Sequence, residues 1–227
     1  LVKFDRPLLT IPHLAIHFNR QVNEGNRLSA QKDMLPVIAI VKEQAEAKGM
    51  LIRLVAEALG CKVDDILDFD LSLYDTTPAC LVGMNDEFVT SGRLDDLSMV
   101  HAALTALTES DGDCGQTRVM AIFDNEETGS GTKQGAASPV LANMLRRIVE
   151  SLGGSLEDFD RSIANSFMVS ADNAHAFHPN YGEKYDPTNH PVPGGGPVIK
   201  INARCKYMTD ADSSGVFRAI CERAGVP

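Results

Sequence analysis

The sequence is poor in basic residues for its length. Lysine and arginine total 21 against 31 aspartates and glutamates, which gives a formal net charge of −10 over 227 residues. Proteins that bind nucleic acids carry a basic surface, so this balance excludes a nucleic acid as the expected partner. The sequence also has no apolar run of the roughly 18 residues that a membrane span needs. We therefore expect no membrane association.

A pairing pattern among the cysteines is also missing. There are five of them, an odd number, and no two form a C-x-x-C motif. This argues against a disulfide framework or a thiolate zinc site and favours a reducing, cytoplasmic location. Cysteines without such a role behave as small apolar residues, so we expect most of these to be buried: Cys61, Cys80, Cys114, Cys205 and Cys221.

The first residues, LVKFDRPLL, contain neither an initiator methionine nor the basic-then-apolar pattern of a signal peptide. We therefore expect this chain to be part of a longer protein.

Hydrophobic periodicity divides the sequence into two parts. Residues 1–88 are richer in strand patterns, and we expect them to form a smaller β-rich domain. A helix is predicted over residues 49–59, with Gly60 as its stop signal. The strands predicted in this part lie at residues 35–43, 69–73, 79–84 and 87–90, the last two flanking an Asn85-Asp86 turn.

Residues 89–227 alternate between short apolar runs and amphipathic helices. The apolar runs at 117–123, 167–170 and 197–203 are predicted to be strands. Helices are predicted after Gly92, after Ser138-Pro139, after a capping box of Ser155 and Asp158, and around 216–221. This alternation favours an α/β fold, with a layered sheet and flanking helices.

Acidic residues follow three of the predicted strands. Asp95 comes after the strand at 87–90, Glu126 and Glu127 come after 117–123, and Asp172 comes after 167–170. The carboxyl ends of strands line the ligand crevice of open α/β sheets, so these carboxylates can converge. Converging carboxylates repel unless a cation holds them, which suits a divalent metal. The alternative is a solvated acidic turn and a helix cap, and the spacing alone leaves both open.

Five segments together resemble the aspartyl aminopeptidases, the M18 family of co-catalytic zinc metallopeptidases. They occur in family order over essentially the whole chain: IPHLAIH (11–17), GRLDDL (92–97), DNEETGSGTKQGA (124–136), SADNAHAFHPNY (170–181) and GPVIKIN (196–202). The resemblance implies a zinc-peptidase fold with a catalytic domain at 89–227 and an oligomerisation domain at 1–88. It also implies an enzyme that removes N-terminal aspartate or glutamate from peptides, in a homo-oligomer that can be a dodecamer.

The resemblance further implies a site with two divalent metal ions, zinc being the expected metal. Asp95 corresponds to the carboxylate that bridges the two ions. Glu127 corresponds to a ligand of one ion and Asp172 to a ligand of the other. Glu126 corresponds to the general base that activates the water between them.

Two further residues match substrate-binding positions of the family. His17 corresponds to a histidine that contacts substrate, with metal ligation as the alternative. Lys200 corresponds to the cation that meets the acidic side chain of the substrate. From pattern alone, Lys200 in the apolar run VIKIN is instead a lysine on the solvated face of a strand.

The sequence departs from the family in its histidine ligands. The family has a His-x-Asp motif near its N-terminus and another histidine near its C-terminus, and neither region is present here. We therefore expect this chain as printed to bind metal poorly. Two alternatives remain open: an inactive scaffold or cargo subunit of the same fold, and a related aminopeptidase for neutral residues.

Overall fold

A computed structural model describes residues 1–110, 112 and 115–227. The chain divides into two compact units, Leu1–Gly92 and Arg93–Pro227. The division falls at Gly92, close to the boundary predicted after residue 88. Cys114 lies outside the described residues.

The first unit contains three α-helices and one β-hairpin. The helices are α1 (Ala30–Asp33), α2 (Gln44–Ala47) and α3 (Met50–Leu59), with short 3-10 helices at Val22–Glu24 and Val63–Asp65. The strands β1 (Cys80–Val82) and β2 (Phe88–Thr90) pair antiparallel, with Leu81 opposite Val89. This confirms the two strands predicted around the Asn85-Asp86 turn.

Helix α3 has the predicted position and the predicted end. Val55 and Ala56 on its apolar face are buried. Gly60 has a φ of +68°, and its N–H reaches the carbonyls of Ala56 and Glu57 at the helix end. Glycine adopts this left-handed conformation without the steric cost of a Cβ, which is why it terminates helices.

The expectation of a β-rich first domain is wrong for the described residues. Residues 69–73 form no strand, and Phe69, Leu71 and Leu73 are exposed. In the region 35–43, a single antiparallel bridge joins Val37 to Thr10. Alternation indicates which face of a segment is apolar, but a strand forms only where a neighbour completes its hydrogen bonds.

The second unit contains the four predicted helices: α4 (Leu94–Glu109), α5 (Val140–Ser151), α6 (Leu156–Ala164) and α7 (Ala211–Ala224), with a 3-10 helix at Gly182–Lys184. The predicted capping box at the start of α6 is confirmed. The Asp158 N–H donates to the Ser155 hydroxyl at 3.2 Å, and the Ser155 N–H donates to the Asp158 carboxylate at 2.8 Å. These bonds satisfy N–H groups that have no partner inside the helix.

The predicted strands of the second unit are absent. Residues 117–123, 167–170 and 197–203 have no regular secondary structure. The sheet in the described residues is the β1–β2 pair alone, so the chain combines α-helices with one small sheet. Helices α5 and α6 pack against each other, and Phe159 of α6 is buried, with the Arg146 guanidinium 5.3 Å from its ring centroid.

The cysteines are not buried as expected. Cys61, Cys80 and Cys205 are exposed and Cys221 is half-buried, each as a free thiol. Their flanking segments lack the packed neighbours that burial requires. Of the helices that the structure describes, none is both long enough and apolar enough to cross a membrane.

Candidate metal centre

Three carboxylates of the second unit meet at the start of α4. One carboxylate oxygen from each of Asp95, Asp96 and Asp172 lies within 4.8 Å of the other two. Among residues 1–110, 112 and 115–227, no other set of three metal-binding side chains meets this spacing. Two of its members, Asp95 and Asp172, are among the predicted metal ligands.

A kink in α4 gives Asp95 and Asp96 their positions. Their φ, ψ angles are −84°, 111° and −114°, 22°, which are not helical, and the peptide bond between them is cis. Regular helix follows from Leu97 onward. In a straight helix, adjacent side chains point about 100° apart, so they do not share a face.

Lys200 places a positive charge against this cluster. Its Nζ donates a hydrogen bond to Oδ2 of Asp172 and another, at 3.1 Å, to the backbone carbonyl of Asn173. The Lys200 side chain is 27 % exposed. The lysine therefore does not extend into solvent from the face of a strand, which was the interpretation from pattern alone.

The pKa values of Asp172 and Asp96 move in opposite directions from the ordinary value of aspartate. The hydrogen bond from Lys200 lowers the pKa of Asp172, against the opposing effect of burial. Burial raises the pKa of Asp96, the charges of Asp172 and Asp95 raise it further, and Lys200 opposes both. The Lys200 ammonium thus outweighs burial at Asp172, whereas burial and the neighbouring carboxylates outweigh the ammonium at Asp96.

This donor set fits a divalent cation. Asp96 Oδ1 is buried and accepts no hydrogen bond, although a buried carboxylate oxygen ordinarily has a partner. The Lys200 ammonium already contacts the cluster as a cation. Hard divalent ions prefer carboxylate oxygens, and zinc also accepts them as ligands.

Asn173 joins the two parts of the cluster. Its Nδ2 donates to the Leu94 carbonyl at 2.9 Å, and its Oδ1 accepts from the Ser98 hydroxyl at 3.0 Å. Leu94 and Ser98 flank the kink that contains Asp95 and Asp96. The side chain next to Asp172 therefore holds the segment of the other two carboxylates.

Glu126 and Glu127 lie outside the three-carboxylate cluster. Both are exposed, in a turn over residues 124–128. This turn has its own hydrogen bonds, from Gly129 N–H to the Asn125 carbonyl at 2.8 Å and from Asn125 Nδ2 to Thr132 Oγ1 at 3.1 Å. Their roles as base and ligand stay predictions.

His17 belongs to the first unit. It is exposed, in a turn over residues 16–18. Its predicted contact with substrate stays a prediction.

Asp96, Ser98 and Asn173 were not predicted as site residues. The second aspartate of RLDDL is a signal that could have indicated Asp96, but a regular helix would separate the two side chains. The hydrogen bonds of Asn173 to Leu94 and Ser98 span more than 70 residues of sequence, and no local pattern encodes them.

The model of the aminopeptidase I zinc metalloprotease (M18) family matches this chain over residues 1–227. The chain belongs to the M18 aminopeptidase family. It is therefore a member of a family of zinc metallopeptidases, hydrolases that act on peptides.

Similar M18 proteins occur in bacteria. A probable M18 family aminopeptidase 2 of Clostridium acetobutylicum is 50 % identical over 228 residues, and one of Pseudomonas aeruginosa is 42 % identical over 229 residues. Each match covers 100 % of this chain and 52 % of the relative. This M18 chain thus spans about half the length of these curated relatives.

Solved M18 structures share its fold. The Ape4 chain of an Ape4–Nbr1 complex matches with a TM-score of 0.90 and 37 % identity, over 100 % of this chain and 47 % of that one. The chain of the S. cerevisiae mApe1 dodecamer matches with a TM-score of 0.73 and 25 % identity, over 96 % and 49 %. The M18 chain described here therefore has the α/β fold of these aminopeptidases over the matched region.

Proposed function

We propose that the complete gene product is a metallo-aminopeptidase that removes aspartate or glutamate from the N-terminus of peptides. The observation that carries this proposal is the cluster of Asp95, Asp96 and Asp172 with the Lys200 ammonium against it. Carboxylates supply metal ligands, and an ammonium beside them supplies a partner for an acidic substrate side chain. Membership in the M18 family supports the aminopeptidase part of the proposal.

The proposed site contains two divalent metal ions, zinc being the expected metal. Asp95 would hold both ions, Glu127 would hold one of them and Asp172 would hold the other. When bound, such ions act as Lewis acids and make water a stronger nucleophile at neutral pH. The proposed ligands include no histidine, so three protein ligands per zinc would require residues beyond those assigned.

Glu126 is the proposed general base. Its carboxylate accepts a proton from the attacking water and then donates that proton to the leaving amine. Its exposed position in the turn at 124–128 leaves the carboxylate accessible to water and substrate.

Lys200 is the proposed contact for the acidic side chain of the substrate. An ammonium has three donors, and the contacts to Asp172 and Asn173 use two of them. The third donor can meet a substrate carboxylate. His17 is the second proposed substrate contact, with metal ligation as the alternative.

We also propose a homo-oligomeric, cytoplasmic protein, with an oligomerisation domain at residues 1–88 and a catalytic domain at residues 89–227. The dodecamer named for mApe1 supports the oligomer by analogy. The absence of a cysteine pairing pattern supports a reducing compartment.

Hydrolysis of a panel of anilide substrates tests the function. The zinc-loaded complete gene product should hydrolyse Asp- and Glu-anilides faster than Leu- and Ala-anilides, and should not hydrolyse N-acetyl-Asp-anilide. Preference for the Leu-anilide would instead identify an aminopeptidase for neutral residues. Stoichiometric zinc with no hydrolysis of any substrate would instead indicate an inactive scaffold subunit.

A further inference from the structure

We propose that Asn173 is a positioning residue that sets the spacing of Asp95 and Asp96 against Asp172, and that Ser98 acts through Asn173. The inference rests on the proposed function, because the spacing matters for holding a metal ion. It is carried by the two hydrogen bonds of the Asn173 side chain, to the Leu94 carbonyl and from the Ser98 hydroxyl.

The two bonds span the kink of α4. Leu94 comes directly before Asp95 and Asp96, and Ser98 comes one helical turn after Leu94. The two partners of Asn173 therefore lie on opposite sides of the non-helical segment. A side chain that is bonded at both ends of this segment restricts where the two intervening carboxylates can lie.

The chemistry of the contact requires an amide. The Leu94 carbonyl needs a donor, and the Ser98 hydroxyl donates to an acceptor. Asparagine offers one of each in a fixed plane. Aspartate at position 173 would lack the donor and would add a fourth negative charge beside three carboxylates, so like-charge repulsion would oppose the clustered arrangement.

Asn173 also connects the cluster to Lys200. Its backbone carbonyl accepts from Lys200 Nζ at 3.1 Å, while the same ammonium binds Asp172. Asn173 and Ser98 are both half-buried, so water competes less for these bonds than at an exposed surface. Asn173 thus restrains three parts of the cluster. It is the sequence neighbour of Asp172, its side chain binds both sides of the α4 kink, and its backbone carbonyl binds Lys200.

Zinc affinity of the complete gene product tests the proposal, measured by competition with a chromophoric chelator. Removal of groups that orient metal ligands typically weakens affinity about 10- to 100-fold, which we expect for Asn173→Ala. Ser98→Ala removes one hydrogen bond and should weaken affinity roughly 2- to 10-fold. Ser98→Thr retains the hydroxyl and should therefore keep most of the wild-type zinc affinity.

A double variant and a matched control complete the experiment. Asn173→Ala combined with Ser98→Ala should bind zinc no more weakly than Asn173→Ala alone, because Ser98 acts through Asn173. Asn165 is the control, since its Nδ2 also donates to a backbone carbonyl, that of Arg161 at 2.9 Å, at the end of α6. Asn165→Ala should leave zinc affinity unchanged.

Hydrogen exchange of the metal-free protein gives a readout that does not depend on zinc. Asn173→Ala should speed exchange in residues 94–98 and 172–176 together, while Asn165→Ala should not. Wild-type zinc affinity in a folded Asn173→Ala protein, or additive effects in the double variant, would overturn the proposal. If Asn173→Ala does not fold, equal zinc affinity of the Ser98→Ala and Ser98→Thr proteins would overturn it.

The proposed function can fail separately. A wild-type protein that binds zinc but hydrolyses no acidic substrate would contradict the assignment as an aminopeptidase for acidic residues. The ordered zinc affinities of the variants would still support Asn173 as a positioning residue.

Discussion

The position of Lys200 in the structure differs from what its local sequence indicates. A lysine between Ile199 and Ile201 has the pattern of a solvated strand face, yet its ammonium binds Asp172 and the Asn173 carbonyl. Pattern analysis cannot distinguish these cases, because the partner carboxylate lies 28 positions away in sequence. At this scale, the resemblance to a family carries information that composition and periodicity lack.

Replacing this charge tests the proposed specificity. A charge-assisted contact is worth about 1.5–3 kcal/mol, so Lys200→Met should lower kcat/KM for an Asp-anilide roughly 10- to 150-fold. A Leu-anilide should be spared, because it makes no such contact. The measured quantity is the ratio of the two kcat/KM values, which cancels general damage to the fold.

Lys184, an exposed lysine at the end of the 3-10 helix Gly182–Lys184, is the matched control. Lys184→Met should leave the ratio unchanged. An equal fall for both substrates in Lys200→Met would mean that Lys200 is structural, and His17 would be the next residue to replace.

Glu126 and Glu127 should differ when each is made neutral. Glu126→Gln preserves shape and removes the base, so we expect it to retain zinc while losing about 10²- to 10⁴-fold in kcat. Glu127→Gln weakens a metal ligand and should lose zinc and activity together. Elemental analysis beside kinetics separates the two, and loss of zinc by Glu126→Gln would show that the assignment as base is wrong.

Among elements of structure, the segment from Asp172 to Pro191 is organised by its own side chains. The Phe177 ring centroid lies 5.2 Å from that of Tyr185 and 4.4 Å from that of His190. The Phe177 N–H donates to the Pro191 carbonyl at 2.7 Å. These contacts close a loop in the residues that follow Asp172. The closed loop supports the end of the segment that carries Asp172.

A turn within this loop has a measurable signature. The N–H groups of Thr188 and then Asn189, with their side chains, lower the pKa of Asp186 to about 2. The ionised Asp186 carboxylate therefore stabilises the turn at pH values above the ordinary pKa of 3.8. This stabilisation is lost as the pH falls through about 2. Carboxyl ¹³C NMR should follow this titration.

Thr188→Val is the comparison, because it removes one hydroxyl donor and retains the N–H donor at that position. Its Asp186 pKa should lie between the wild-type value and 3.8. An Asp186 carboxyl that titrates near 3.8 in the wild type would contradict the hydrogen-bonded turn.

Helices and strands differ in how far the sequence predicts them. The ends of α3 and α6 follow from Gly60 and from the Ser155–Asp158 capping box, because helix signals and helix hydrogen bonds are local. The runs at 117–123, 167–170 and 197–203 are apolar, but a strand depends on a neighbour elsewhere in the chain or assembly. Asp95 and Asp172 were predicted from their place after predicted strands and from the family resemblance, although residues 167–170 form no strand. The Asn173 contacts that join them span more than 70 residues, so no local pattern predicts them.

On the scale of the whole molecule, the described residues bury few apolar side chains. Val55, Ala56 and Phe159 are the buried apolar residues among them, while Val119, Ile122 and others of the predicted strands are exposed. The chain covers about half the length of its curated relatives. Experiments on function therefore use the complete gene product, in which folding, assembly and metal binding are measured together.

Metal removal is the prediction at this scale. Three carboxylates whose oxygens lie within 4.8 Å repel one another without a cation, in a chain that already has a net charge of −10. A ligand that binds only the folded state stabilises it, by about 2.7 kcal/mol at a free concentration of 100 times Kd. A chelator should therefore lower Tm and abolish hydrolysis together, and added zinc should restore both.

Glu126→Gln should retain the Tm response without activity, and Asp95→Ala should lose the response, because its carboxylate is assigned to both ions. A wild-type Tm that is the same with chelator and with zinc would contradict a metal centre at the start of α4.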